Sequence, residues 1–141
     1  MIANAAITLP YYSYIENPQG YPDWYDYTPT YDATGSMTFT LTDLQTARLQ
    51  VVGKTCHVII VAIGTTGGTA SFGIKASLPI TNTNVASPSC AIVCGVKDGT
   101  TYVNVGTGAI DSTYMNFRKY DASVWGVSTG RVIVGDAWFE I

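Results

Sequence analysis

The sequence predicts an all-β chain, an antiparallel β-sandwich of jelly-roll type, and three observations carry that expectation. From Gly35 onward apolar residues alternate with Thr, Ser and other polar residues at a period of two. Turn signals punctuate the alternating runs at Gly67-Gly68, Asp98-Gly99, Gly106 through Gly108 and Thr129-Gly130. No window carries a helical stripe; residues 43–50 are the one candidate, and a single turn is their limit.

Residues 1–31 differ in character from the rest of the chain. Tyr11, Tyr12, Tyr14, Tyr21, Tyr25, Tyr27 and Tyr31 fall there with Trp24, among prolines at 10, 18, 22 and 29. Proline at that density forbids helices and central strands. Eight large rings are too much apolar area to leave in water, which argues against disorder. An extended docking segment over residues 1–31 is expected, its rings laid on this chain or a neighbouring one, with the sandwich over 32–141. In 36–42, Met37, Phe39 and Leu41 share one face, opposite Ser36, Thr38, Thr40 and Thr42. In 68–78 the same rule puts Ala70, Phe72, Ile74, Ala76 and Leu78 inside. Further strands are predicted at 46–52, 55–63, 90–97, 101–106, 113–119, 124–128 and 131–140. Strands this short and this closely spaced belong to sandwiches.

One strand breaks the one-sided pattern. Across 55–63, Cys56, Val58, Ile60 and Ala62 line one face, while His57, Ile59, Val61 and Ile63 line the other. A two-layer sandwich gives each strand a single core side, so the second apolar side needs a cover. The chain is too short for a third layer, and the economical cover is another copy. His57, Ile59, Val61 and Ile63 are therefore the candidate subunit interface of a symmetric homo-oligomer. Residues 90–97 have the same two-sided character.

Composition narrows the function classes. The 141 residues make one ordinary domain, and only 12% are charged. A net charge of −3 argues against a phosphate-backbone binder, so no nucleic-acid partner is expected. No run approaches the ~18 apolar residues of a membrane span, and residues 1–10 lack the basic region of a signal peptide. Cys56, Cys90 and Cys94 are an odd set among apolar neighbours, which fits reduced core thiols. No metal and no cofactor are expected, since His57 is the sole imidazole.

The catalytic candidates fare no better. His57 shares its strand face with Ile59 and Val61, which suits a packed or interface histidine rather than a general base. Nothing in the sequence pairs the aspartates for acid–base work, and Asp98 and Asp111 sit where turns want aspartate. Gly53-Lys54-Thr55 resembles the tail of a phosphate-binding loop, yet Arg48 stands where that loop needs glycine and a strand comes next. It is a hairpin turn. The near-copies Tyr31-Asp32-Ala33-Thr34 and Tyr120-Asp121-Ala122-Ser123 are ascribed to chance. One surface suits a ligand: in 113–120, Met115 and Phe117 face the core, leaving Tyr114, Asn116, Arg118 and Tyr120 opposite, with Trp125 shortly after. Rings beside amide and guanidinium donors match a sugar's C–H faces and hydroxyls, so these five residues are the candidate glycan site.

Several motifs carry a family resemblance. Trp24-Tyr25-Asp26-Tyr27-Thr28-Pro29-Thr30 resembles the W-x-x-Y-T-P-T opening of carboxyl-terminal domains in bacteriophage tail fibres and related tail proteins. Ala47-Arg48-Leu49 through Gly53-Lys54-Thr55 is similar to that family's A-R-Y-x-x-x-G-K-x hairpin, with Leu49 where an aromatic is usual. Ser77-Leu78-Pro79 matches its strand end, and residues 132–140 look like its last strand. The resemblance implies a jelly-roll-like trimer on a virion, made in the host bacterial cytoplasm, that attaches to host surface glycans. It carries over no binding residue. A non-enzymatic, receptor-binding tail-fibre domain is therefore expected, with residues 1–31 meeting other virion proteins. Such domains normally end long fibres, whereas this chain starts at Met1. A head-fibre or capsid-decoration protein that binds only other virion proteins is the alternative.

Overall fold

The structure, a computed structural model, describes residues 24–83, 90–99 and 103–141, and among these the chain is all β with no helix. Nine strands form one antiparallel sheet: β1 (Tyr25–Asp26), β2 (Tyr31–Ala33), β3 (Met37–Val52), β4 (Thr55–Gly68), β5 (Gly73–Ser77), β6 (Cys90–Lys97), β7 (Asn104–Ile110), β8 (Tyr114–Lys119) and β9 (Arg131–Glu140). Their order across the sheet is β1-β3-β4-β9-β6-β7-β8-β5-β2.

The sheet folds over on itself. β6 joins β9 through the pairs Gly95↔Val134, Val96↔Ile133 and Lys97↔Val132, and past them the two strands part. The inner faces on either side then meet: a Cβ at Gly135 of β9 would fall 2.5 Å from the Met115 sulfur and 2.8 Å from the Phe117 ring, both on β8. Glycine is there because two layers approach through it. Val58, Ile60, Ala62 and Ile133 from one limb and Ile74, Ile110, Met115 and Phe117 from the other are fully buried. All of these except Ala62 are large enough to stabilise the fold by about 1.5–3 kcal/mol each.

β3 departs from the predicted pattern. Strands were expected at 36–42 and 46–52, with residues 43–50 the helical candidate; β3 instead runs unbroken from Met37 to Val52. Register shifts at Leu41/Asp43 and Leu44/Thr46 insert extra residues against β4. The inward set becomes Leu41, Leu44, Ala47, Leu49, and the spacing of three across the bulges imitates a helical stripe. Gly53, at φ +62°, opens the two-residue β3–β4 hairpin, the positive φ a type II′ turn demands at its first central position.

Four further stretches differ. Gly106 and Gly108, read as a turn, lie inside β7, where a Cβ at Gly108 would sit 2.3 Å from the Asn116 carbonyl of β8. The strand predicted at 124–128 is a loop, and Phe72, placed inside by periodicity, is exposed because β5 begins only at Gly73. Residues 24–31, assigned to the docking segment, are partly woven into this chain's own sheet. β1 pairs with β3 through Tyr25↔Leu49 and Asp26↔Arg48, and β2 pairs with β5 from Tyr31↔Ala76 onward. Tyr25, Tyr27 and Tyr31 pack against the core. Residues 1–23 of that segment lie outside the described residues.

Candidate functional site

Cross-strand register sorts the outer face of β3, β4, β9 and β6 into rows. Antiparallel partners share a face, so His57 stands beside Gln50 and Trp138, and Ile59 beside Arg48 and Asp136. Val61 lies beside Thr46 and Val134, and Ile63 beside Asp43 and Val132. Gly95 and Lys97 of β6 continue the last two rows. His57, Ile59, Val61 and Ile63 thus share one face, all half-buried, while Val58, Ile60 and Ala62 on the other face are fully buried. Val103 and Val134 flank Gly95, where a Cβ would lie 2.9 Å from the first and 3.0 Å from the second. The apolar surface therefore runs on through Val105 and Val93, which are 64% and 74% exposed.

The other end of this face is aromatic. His57 stacks on Trp138 at 4.0 Å between ring centroids and 16° between planes, and Trp24 leans on it at 4.9 Å. Nε2 of His57 donates to Asp136 Oδ1 at 2.6 Å, since a carboxylate can only accept. His57 is therefore covered by indoles of its own chain, unlike Ile59, Val61 and Ile63. Among the described residues, the groups in ring contact or hydrogen bonding with His57 are two indoles and a carboxylate, and none of these is the nucleophile a hydrolytic triad requires. One row along, Arg48 Nε bonds Asp26 Oδ1 at 2.9 Å.

The five residues of the predicted glycan site are only partly brought together. Tyr114, Asn116 and Arg118 do share the outer face of β8, joined there by Lys75, whose Nζ lies 5.7 Å from the centroid of the Tyr114 ring. Asn116, however, is buried and its Nδ2 donates to Asp111 Oδ2. Tyr120 sits in the turn beyond β8, 71% exposed. Trp125 is fully buried, its backbone N–H bonded to the Ser71 carbonyl, so its ring offers no surface for a sugar. The reason is a buried cluster under the 120–130 loop. Asp98 pairs with Lys119 at 2.7 Å and with Arg131 Nη1 at 2.9 Å, and accepts from the Gly126 N–H. Arg131 Nε donates to the Gly126 carbonyl and Thr66 Oγ1. These bonds hold the loop inward over Trp125.

The remaining polar candidates act in turns or in the core. Asp111 accepts from the N–H groups of Thr113 and Tyr114, and Asp121 from Ser123 in a turn where Ala122 has φ +55°. Tyr31 and Asp32, by contrast, lie in β2, so the two Tyr-Asp-Ala copies share no structure. Cys56 and Cys94 are free and buried, and burial pushes the Cys56 thiol up to about 12. Burial also raises the Tyr27 phenol beyond its ordinary range, helped by Tyr31 and Cys56 nearby. Among the described residues no group of three His, Cys, Asp or Glu could hold a metal ion.

Sequence reasoning missed Trp24, Asp136 and Trp138 as partners of His57. Period two alone puts Asp136 and Trp138 on one face of β9, but the β4–β9 register that sets them beside His57 is not written in either strand. Comparison of the chain with protein-family models, with curated proteins and with solved structures gives no match in any of the three.

Proposed function

We propose that this chain is a non-enzymatic virion protein of a bacteriophage, a trimeric fibre or receptor-binding domain that attaches to host surface glycans. The observation that supports it most is the outer face of β4, β9, β6 and β7. Ile59, Val61, Ile63, Val132 and Val134 are half-buried in the single chain, and Val93 and Val105 are mostly exposed. A contiguous apolar face of this kind is costly in water and is ordinarily covered by a partner. A closed ring of copies covers it without leaving an open end. The fibre assignment itself leans on the sequence resemblance of residues 24–30 and 47–55 to tail-fibre domains.

Sedimentation equilibrium at micromolar concentration tests the assembly, with three times the 15.1 kDa chain mass expected and a single-chain mass overturning it. Immunolabelling of intact particles tests the role. Label at fibre ends is expected; label confined to the head would favour a capsid-decoration protein instead.

A further inference from the structure

A second surface, away from β8, combines exposed rings with polar groups. Asp26 and Arg48 form one wall of an open cleft of about 390 Å³ that continues past Thr28 to Gln45 and Thr46. The cleft exists because β1 is short: after Tyr27, whose N–H still bonds the Ala47 carbonyl, the chain leaves the edge of β3 and crosses to β5, where Thr30 and Ser77 exchange hydrogen bonds. Adjacent to its Asp26–Arg48 wall, two residues or about 7 Å along the strands, stands the Trp24–His57–Trp138 stack. Trp138 is 48% exposed and Trp24 39%, an unusual display of indole for a soluble surface. The display is rigid, because Asp136 fixes the imidazole on which both indoles rest.

On the reading of this chain as a glycan-binding protein, we propose that the Trp24–His57–Trp138 stack and the Asp26–Arg48 cleft together form the saccharide site. The indoles cover the C–H face of a pyranose ring, while Arg48, Gln45 and the Thr28 and Thr46 hydroxyls meet its hydroxyl groups. Arg48 and Asp26 neutralise each other, so the cleft selects a neutral polyhydroxylated chain over a phosphate or a lone carboxylate. A cleft of this volume holds one or two sugar rings. The test uses the full chain on an array of immobilised bacterial capsular and O-antigen polysaccharides, with Trp138→Ala, Arg48→Ala and Tyr120→Ala beside it. Trp138 and Arg48 are surface groups, and near-UV circular dichroism checks that each variant is folded. The expected result is binding by the parent chain, weakened tenfold or more by Trp138→Ala and by Arg48→Ala and unchanged by Tyr120→Ala. Parent-level binding by both of the first two variants would overturn this site while leaving the glycan reading intact. Absence of binding by the parent chain would overturn both.

Discussion

Replacing Val93 with glutamate separates assembly from folding, because the two draw on different faces of β6. Ile92, Cys94 and Val96 point into the core, whereas Val93 points outward and is 74% exposed. Fully burying a valine stabilises by about 1.5 kcal/mol at the low end, so about 1 kcal/mol remains to be gained when a second copy covers Val93. Glutamate forfeits that gain and adds the cost of desolvating a carboxylate, which takes the loss to roughly 2–3 kcal/mol at each contact. At 1.4 kcal/mol per factor of ten, subunit affinity falls about 30- to 140-fold. Folding of the single chain changes by no more than about 1 kcal/mol, the span of strand propensities. Sedimentation velocity over a dilution series reads the first effect. Urea unfolding, at concentrations where both proteins are monomeric, reads the second. An unchanged dissociation constant would refute the placement of the interface, and a fall in urea midpoint matching a core substitution would refute the outward orientation of Val93.

Other perturbations probe the fold around the candidate sites. Gly135→Ala drives a methyl group into Met115 and Phe117 and should cost about 1–3 kcal/mol, read as a lower urea midpoint at unchanged slope. Asp98→Asn leaves Arg131 buried beside Lys119 without its carboxylate and should cost about 3 kcal/mol, with hydrogen exchange rising first across the 120–130 loop. Burial raises Cys56 and Tyr31 each to about 12 and Tyr27 higher still, so the folded chain holds protons that the unfolded chain releases from about pH 9 upward. Their contribution is intact below about pH 9 and is lost as pH climbs toward about 12, which a thermal melting series across that range will show as a falling midpoint. The same burial should leave Cys56 unlabelled by iodoacetamide at about pH 8 until denaturant is added.

What the sequence disclosed was local. The alternation of 131–140 and the two-sided run at 55–63 specify strands and their faces, because period two needs no knowledge of neighbours. Tertiary approach overrode the turn signal at Gly106 and Gly108: those glycines admit the β8 backbone and core side chains, and a glycine that permits contact looks in sequence like one that permits a turn. Bulges disguised the middle of β3 for a related reason, since an inserted residue shifts the phase that periodicity reads. Trp125 was misplaced because its burial depends on Asp98, Thr66 and Arg131, which are brought together from three separate stretches of chain. The His57 stack was equally hidden. Trp24 is 33 positions away in sequence and Trp138 is 81, so only strand pairing makes them neighbours.

The two uses assigned to the outer face meet along its middle rows, where Ile59 lies between Arg48 and Asp136 and Val61 lies beside Thr46, and they separate toward its two ends. His57 and Val61 are four residues apart on β4, which separates their rows by about 13 Å. The aliphatic rows continue sideways through Val134, across Gly95, to Val103 and Val105, away from the aromatic row. A copy centred on Val134 and Val105 therefore leaves Trp138, Trp24 and the Asp26–Arg48 pair at the rim, toward the edge of β3. The ion pair and the His57–Asp136 bond also favour that order, because both place charge where solvent remains. Burying the exposed Asp136 and Asp26 carboxylates under a neighbour would cost more than the indoles beside them return. In the proposed assembly, the aromatic row therefore lies at the rim of the contact rather than at its centre.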